Sequence, residues 1–114
     1  FNAAGVNADE NVYLNGDQSA ASIDVTNTGT TTIQGGVSGS PTANTLTLSN
    51  GLTLESTAGA LTVGSTGAVN VSLAGSQSFI DNLSTSVLGS PGVRISGGIS
   101  SASSSTIRTS PISW

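Results

Sequence analysis

Carboxylates are the side chains in this chain most able to do chemistry, because they can serve as general acids, general bases or metal ligands. There are six of them, and Asp24, Glu55 and Asp81 each lie in or beside a segment in which apolar and polar residues alternate. A pair of carboxyl groups can cleave a glycosidic bond. Asp24 and Glu55 take outward strand positions with no aromatic neighbour to hold a sugar ring, so we expect no enzymatic activity.

Composition excludes most other catalytic chemistry. The chain has no His and no Cys, and its two basic residues are Arg94 and Arg108, so it also lacks Lys. Ser-His-Asp triads and zinc sites lose their usual members, and Schiff bases and isopeptide cross-links lose the amine that they need. A pI near 4.1 argues against nucleic acid as a partner. No apolar run approaches the ~20 residues that span a bilayer, so we expect no membrane insertion.

An acidic segment near the N-terminus carries oxygen ligands of the type that Ca²⁺ prefers. It consists of Asp9-Glu10-Asn11 and Asn15-Gly16-Asp17, and it lacks the spacing of an EF-hand loop. We interpret it as a solvated turn between Tyr13-Leu14 and Ser22-Ile23. We therefore expect no metal and no cofactor.

Two N-glycosylation sequons occur, at Asn70-Val71-Ser72 and at Asn82-Leu83-Ser84. The alternation of the surrounding residues points Asn70 away from the apolar face, so a glycan would fit there. A chain so rich in Asn, Ser and Thr also produces such matches by chance. Asn70 and Asn82 are thus candidate sites of glycan attachment.

Short loops that end in glycine give the clearest structural signal. Glycine adopts the left-handed backbone conformation that closes three-residue hairpin loops. Four such stretches lie between segments of alternating apolar residues: Asn27-Thr28-Gly29, Ser49-Asn50-Gly51, Ser65-Thr66-Gly67 and Ser96-Gly97-Gly98. The pattern predicts antiparallel hairpins.

The register of the second hairpin can be tested on the sequence, because a one-residue slip turns every side chain to the other face of a strand. With Ser49-Asn50-Gly51 as a three-residue loop, apolar side chains oppose apolar ones and polar side chains oppose polar ones. The expected pairs are Leu48 with Leu52, Leu46 with Leu54, and Thr47 with Thr53.

Length and composition favour one β domain over residues 1–114. Charged residues make up 7% and aromatic residues 4%, so the core must be built from many small aliphatic side chains. About ten short strands separated by turn signals are typical of a sandwich or barrel. We predict an all-β fold, an antiparallel β-sandwich that is jelly-roll-like and built from short hairpins, with a β-solenoid as the alternative.

The segment Val25-Thr26-Asn27-Thr28-Gly29-Thr30-Thr31-Thr32-Ile33 resembles a V-x-N-T-G-x-x-x-I hairpin of β-sandwich domains in prokaryotic, particularly archaeal, surface proteins and extracellular filament subunits. This resemblance implies a surface location and self-association. The stretch from Val25 to Thr42 is also similar to the opening turn of secreted ice-binding β-solenoids. The long helix and the regular threonine ladder of that family are missing here.

The two ends of the chain carry apolar residues that could join subunits. Residues 1–10 and 106–114 are the candidate linking segments, inserted into a neighbour as a donor strand or paired with the chain's own sheet. The candidate anchors are Phe1, Ile107, Ile112 and Trp114.

We expect a structural subunit of an extracellular, pilus-like filament or a similar homopolymeric surface assembly, joined by strand exchange or edge pairing, whose partners are copies of itself. The alternatives are a viral tail-fibre or capsid-type protein and an adhesin or ice-binding module. A start at Phe1 rather than Met fits a mature secreted product. The expected location is therefore extracellular or at the cell surface, with the virion as the alternative.

Overall fold

The computed structural model describes residues 9–55, 57–75, 77–82, 92–101 and 104–108, with side chains described in 9–55, 57–75 and 92–101. No helix occurs in these residues. Their strands are β1 (Glu10–Tyr13), β2 (Gln18–Val25), β3 (Thr31–Gln34), β4 (Asn44–Leu54), β5 (Leu61–Val63), β6 (Val69–Leu73), β7 (Gln77–Asn82), β8 (Val93–Ile95), β9 (Ile99–Ser101) and β10 (Ser104–Arg108).

Every pairing between these strands is parallel. One sheet has the order β1-β3-β5-β8. In the other sheet, β4 is central: β2 lies along one side of it, and β6 and β7 share the other side. Next to β6 comes β9, and next to β7 comes β10.

The chain therefore winds through both sheets and returns one strand further along. The first coil comprises β1 and β2, the second β3 and β4, the third β5 to β7, and the last β8 to β10. About 28 residues separate equivalent positions, as from Leu52 to Ile80 and on to Ile107, a period typical of solenoids. The architecture is a parallel β-solenoid.

The predicted antiparallel β-sandwich is wrong, although the all-β class is confirmed. Leu48 pairs with Ala20 and Leu73 in neighbouring coils, and Leu52 pairs with Ile23. Alternating apolar residues bury one face equally well against a hairpin partner or against the next coil, so the alternation does not distinguish the two arrangements.

The four glycine-ended stretches do not close hairpins. Asn27-Thr28-Gly29, Ser65-Thr66-Gly67 and Ser96-Gly97-Gly98 are corners at which the chain passes from one sheet to the other. Ser49-Asn50-Gly51 lies inside β4, at a shift in its register with β2. Leu48 and Gly51 are three residues apart on β4, whereas their partners Ala20 and Ser22 are two residues apart on β2. This shift is a β-bulge, and it falls where the partner of β4 changes from β6 to β7.

The core is a stack of aliphatic side chains running through the coils. Leu52 lies beside Ile23 in the next coil, and Val71 lies in the same way beside Leu46. Full burial of one such side chain contributes about 1.5–3 kcal/mol. The buried apolar residues are Ile23, Val25, Ile33, Leu46, Leu48, Leu52, Leu54, Ala58, Leu61, Val63, Val69, Val71 and Leu73.

A buried asparagine builds the corner between β2 and β3. Asn27 is 0% exposed, its Nδ2 donates to Thr31 Oγ1 at 3.1 Å, and its Oδ1 accepts from the Gly29 N–H at 3.2 Å. Its carbonyl oxygen accepts from the Gly59 N–H of the next coil at 2.9 Å. A Cβ on Gly59 would lie 2.4 Å from the Gly29 carbonyl oxygen, so these two corners can stack only if residue 59 has no side chain.

Candidate assembly interface

The stacked apolar side chains are buried inside the solenoid and become partly exposed at its last coil. Val63 and Val71 of the third coil are fully buried. One coil further on, Ile95 in the row of Val63 is half-buried, and Ile99 in the row of Val71 is 44% exposed. Ile99 therefore presents apolar surface at the end of the stack.

The end coils also present strand edges that no other described strand covers. Among the described strands, β8 and β10 pair only with β5 and β7, and β1 and β2 pair only with β3 and β4. An exposed edge offers backbone N–H and C=O groups to another strand. Because all the strands are parallel, a further coil could continue the same pairing at either end.

Carboxylates of the first coil bind it to the second. Asp9 Oδ1 accepts a hydrogen bond from the Thr30 backbone N–H at 3.0 Å, and Asp17 Oδ1 accepts one from the Thr45 N–H at 2.8 Å. In both cases the carboxylate lies one coil before the donor. The acidic N-terminal segment thus has a structural role that its composition alone did not reveal.

The oxygen-bearing side chains of the acidic N-terminal segment are dispersed rather than gathered. Asn15 and Gly16 form a turn with φ angles of 51° and 112°, and Glu10 lies in β1. Within the described residues, no group of three or more His, Cys, Asp or Glu side chains could hold a metal ion. The prediction that no metal is bound remains a prediction.

The three candidate catalytic carboxylates take different places. Asp24 and Asp81 occupy the same position in the first and third coils, with Thr53 between them in the register. Glu55 lies beyond the end of β4, where its N–H donates to the Val25 carbonyl oxygen at 3.0 Å. Glu55 is therefore not in the row that contains the other two.

One candidate glycosylation site joins two coils. Asn70 is exposed on β6, and its Oδ1 accepts a hydrogen bond from the Gly98 N–H of the last coil at 2.9 Å. Asn82 ends β7, and its side chain lies outside the described part of the chain. Glycan attachment at either residue remains a prediction.

The candidate subunit anchors are not tested by the structure. Phe1, Ile112 and Trp114 lie outside the described residues, and Ile107 lies in β10, where only the backbone is described. The end of the apolar stack at Ile99 was not predicted from the sequence. A repeat could have revealed it, since Ile23-Asp24-Val25 returns as Leu52-Thr53-Leu54 and as Ile80-Asp81-Asn82.

Comparisons with protein-family models, with curated proteins and with solved structures find no match. Among the described residues, no helix has the length and apolar character needed to cross a membrane.

Proposed function

We propose that this chain is a structural subunit of an extracellular or cell-surface homopolymer, in which solenoids join end to end by edge pairing. The observation that carries the proposal is the open apolar row at the last coil, where Ile99 is 44% exposed while Val71 beneath it is fully buried. Solenoids need polar terminal repeats to remain soluble as single units. An apolar end therefore supports contact with a further coil.

A second copy supplies that coil without strand exchange. Its first coil offers parallel strand edges of the same kind, and each coil added to a stack advances it by about 4.8 Å. This proposal replaces the donated terminal strand by pairing between complete end coils. It assigns the chain a mechanical role rather than a catalytic one.

The test compares two substitutions of equally exposed apolar residues. Val37 is 40% exposed, and it lies in a lateral turn between β3 and β4 rather than at the end of the stack. Ile99→Lys places a charge at the proposed interface, and Val37→Lys places the same charge on the side of the solenoid. Sedimentation velocity and negative-stain microscopy over a range of concentrations report assembly of each protein.

We expect the unmodified chain and Val37→Lys to form linear assemblies, and Ile99→Lys to remain monomeric or to require at least tenfold more protein. A monomeric unmodified chain at millimolar concentration would contradict the proposal. Equal loss of assembly in both variants would also contradict it, because the effect would then not depend on the end of the stack.

A further inference from the structure

The charged residues of this chain are separated along the solenoid. Four of its six carboxylates belong to the first coil or the residues next to it, and both of its basic residues belong to the last coil. The four carboxylates are Asp9, Glu10, Asp17 and Asp24, and the two basic residues are Arg94 and Arg108. One end of the stack is therefore acidic and the other basic.

The register places opposite charges in the same row. Asp24, Thr53, Asp81 and Arg108 follow one another at one position of the four coils. A further coil added beyond β10 in this register would bring the next copy's Asp24 beside Arg108. Opposite charges on neighbouring strands stabilise a sheet, whereas like charges destabilise it.

From these observations we infer that subunits join head to tail, the acidic first coil of one copy stacking on the basic last coil of another. This inference rests on the proposed end-to-end assembly and adds its polarity. Contact between two last coils would oppose basic ends and close a two-fold dimer, whereas a head-to-tail contact leaves both ends free and continues as a filament.

A charge swap between Asp24 and Arg108 tests the polarity. Asp24→Arg gives a subunit with a basic residue in this row at both ends, and Arg108→Asp gives one with an acidic residue at both ends. The third variant carries both substitutions. Circular dichroism of each dilute protein checks that the β fold is retained, and light scattering measures the concentration at which assembly begins.

We expect each single variant to need at least tenfold more protein than the unmodified chain, because like charges then meet at the interface. An equimolar mixture of the two single variants, and the double variant alone, should assemble at a lower concentration than either single variant. Recovery is expected to be incomplete, because an aspartate at position 108 also lies beside Asp81 of its own chain. Assembly should also weaken as salt is raised from 0.05 to 0.5 M, as expected of exposed charge pairs.

Failure of the unmodified chain to assemble would refute end-to-end joining itself. Assembly of the unmodified chain together with normal assembly of Asp24→Arg would refute only the polarity. Impaired single variants on which neither the mixture nor the double variant improves would refute it as well. If Arg108→Asp does not fold, the polarity is tested instead by adding the Asp24→Arg variant to the unmodified protein. Head-to-tail growth predicts that this variant joins through its own Arg108 and then blocks further addition at the acidic end, so that filaments become shorter as its molar fraction rises. Filament lengths unaffected by an equal amount of the variant would overturn the inference.

Discussion

Asp17 and Thr45 join the first two coils, since the Asp17 carboxylate accepts the Thr45 backbone N–H at 2.8 Å. The two residues are 28 positions apart in the chain, which is one turn of the solenoid. This bond shows how a chain with little charge uses carboxylates to fasten an end coil.

Removal of this carboxylate should loosen the first coil without unfolding the rest. The bond is exposed to solvent, so it contributes about 0.5–1.5 kcal/mol, and Asp17→Ala should speed hydrogen exchange at the Thr45 amide several-fold. Asp17→Asn keeps an acceptor oxygen and should have a smaller effect. Unchanged exchange at Thr45 in Asp17→Ala would show that the bond does not hold the coil.

Asn27 should be one of the most sensitive polar residues in the chain. Asn27→Ala leaves the buried Thr31 hydroxyl and the Gly29 N–H without the partners that the asparagine supplies. We expect a loss of about 2–4 kcal/mol in the free energy of unfolding, measured by urea denaturation. Ser38→Ala, in an exposed turn, is the control and should change stability by less than about 0.5 kcal/mol. A similar loss in both variants would contradict the assigned role.

Two glycines separate the effect of close packing from the effect of backbone conformation. At Gly59 an added Cβ meets the Gly29 carbonyl oxygen at 2.4 Å, whereas at Gly39 it meets nothing within 4 Å but the φ angle is +83°. Gly59→Ala should lower the melting temperature more than Gly39→Ala, which should cost only about 1 kcal/mol of backbone strain. The reverse order would mean that the corners do not stack as described.

Asn70 provides a prediction for the last coil. Its Oδ1 accepts the Gly98 N–H, so Asn70→Ala should increase proteolysis or hydrogen exchange in β9, by about tenfold for a loss of 1.4 kcal/mol. Asn70→Asp keeps an acceptor and should preserve most of the protection. Equal exchange at Gly98 in all three proteins would show that this bond contributes nothing.

The inward positions of this fold could be read from the sequence, but the partner of each strand could not. Leu46, Leu48, Leu52 and Leu54 were expected to share a buried face, and all four are buried. Their alternation is compatible with a hairpin and with a coil. Glycine at position 51 suggested a loop closure, whereas it follows a bulge that leaves the strand continuous.

The candidate interface could be predicted only in part from the sequence, for a similar reason. That the acidic residues lie early in the chain and the arginines late is plain in the sequence. Only the stacking register shows that the Asp24 and Arg108 positions lie in one row at opposite ends of a stack. The repeat of about 28 residues is the signal that connects the two, and its irregular corners obscure it.

A cysteine cross-linking experiment tests the parallel stack most directly, and the chain has no native Cys to interfere. Thr47 and Ser72 are register partners on β4 and β6, so their Cα atoms lie about 5 Å apart, a distance that a disulfide spans. Thr47 and Thr53 lie on the same strand, about 20 Å apart, although an antiparallel hairpin would pair them. Under mild oxidation, the parallel stack predicts an intramolecular disulfide in the Thr47→Cys, Ser72→Cys variant and free thiols in the Thr47→Cys, Thr53→Cys variant. A disulfide in the second variant and free thiols in the first would contradict it.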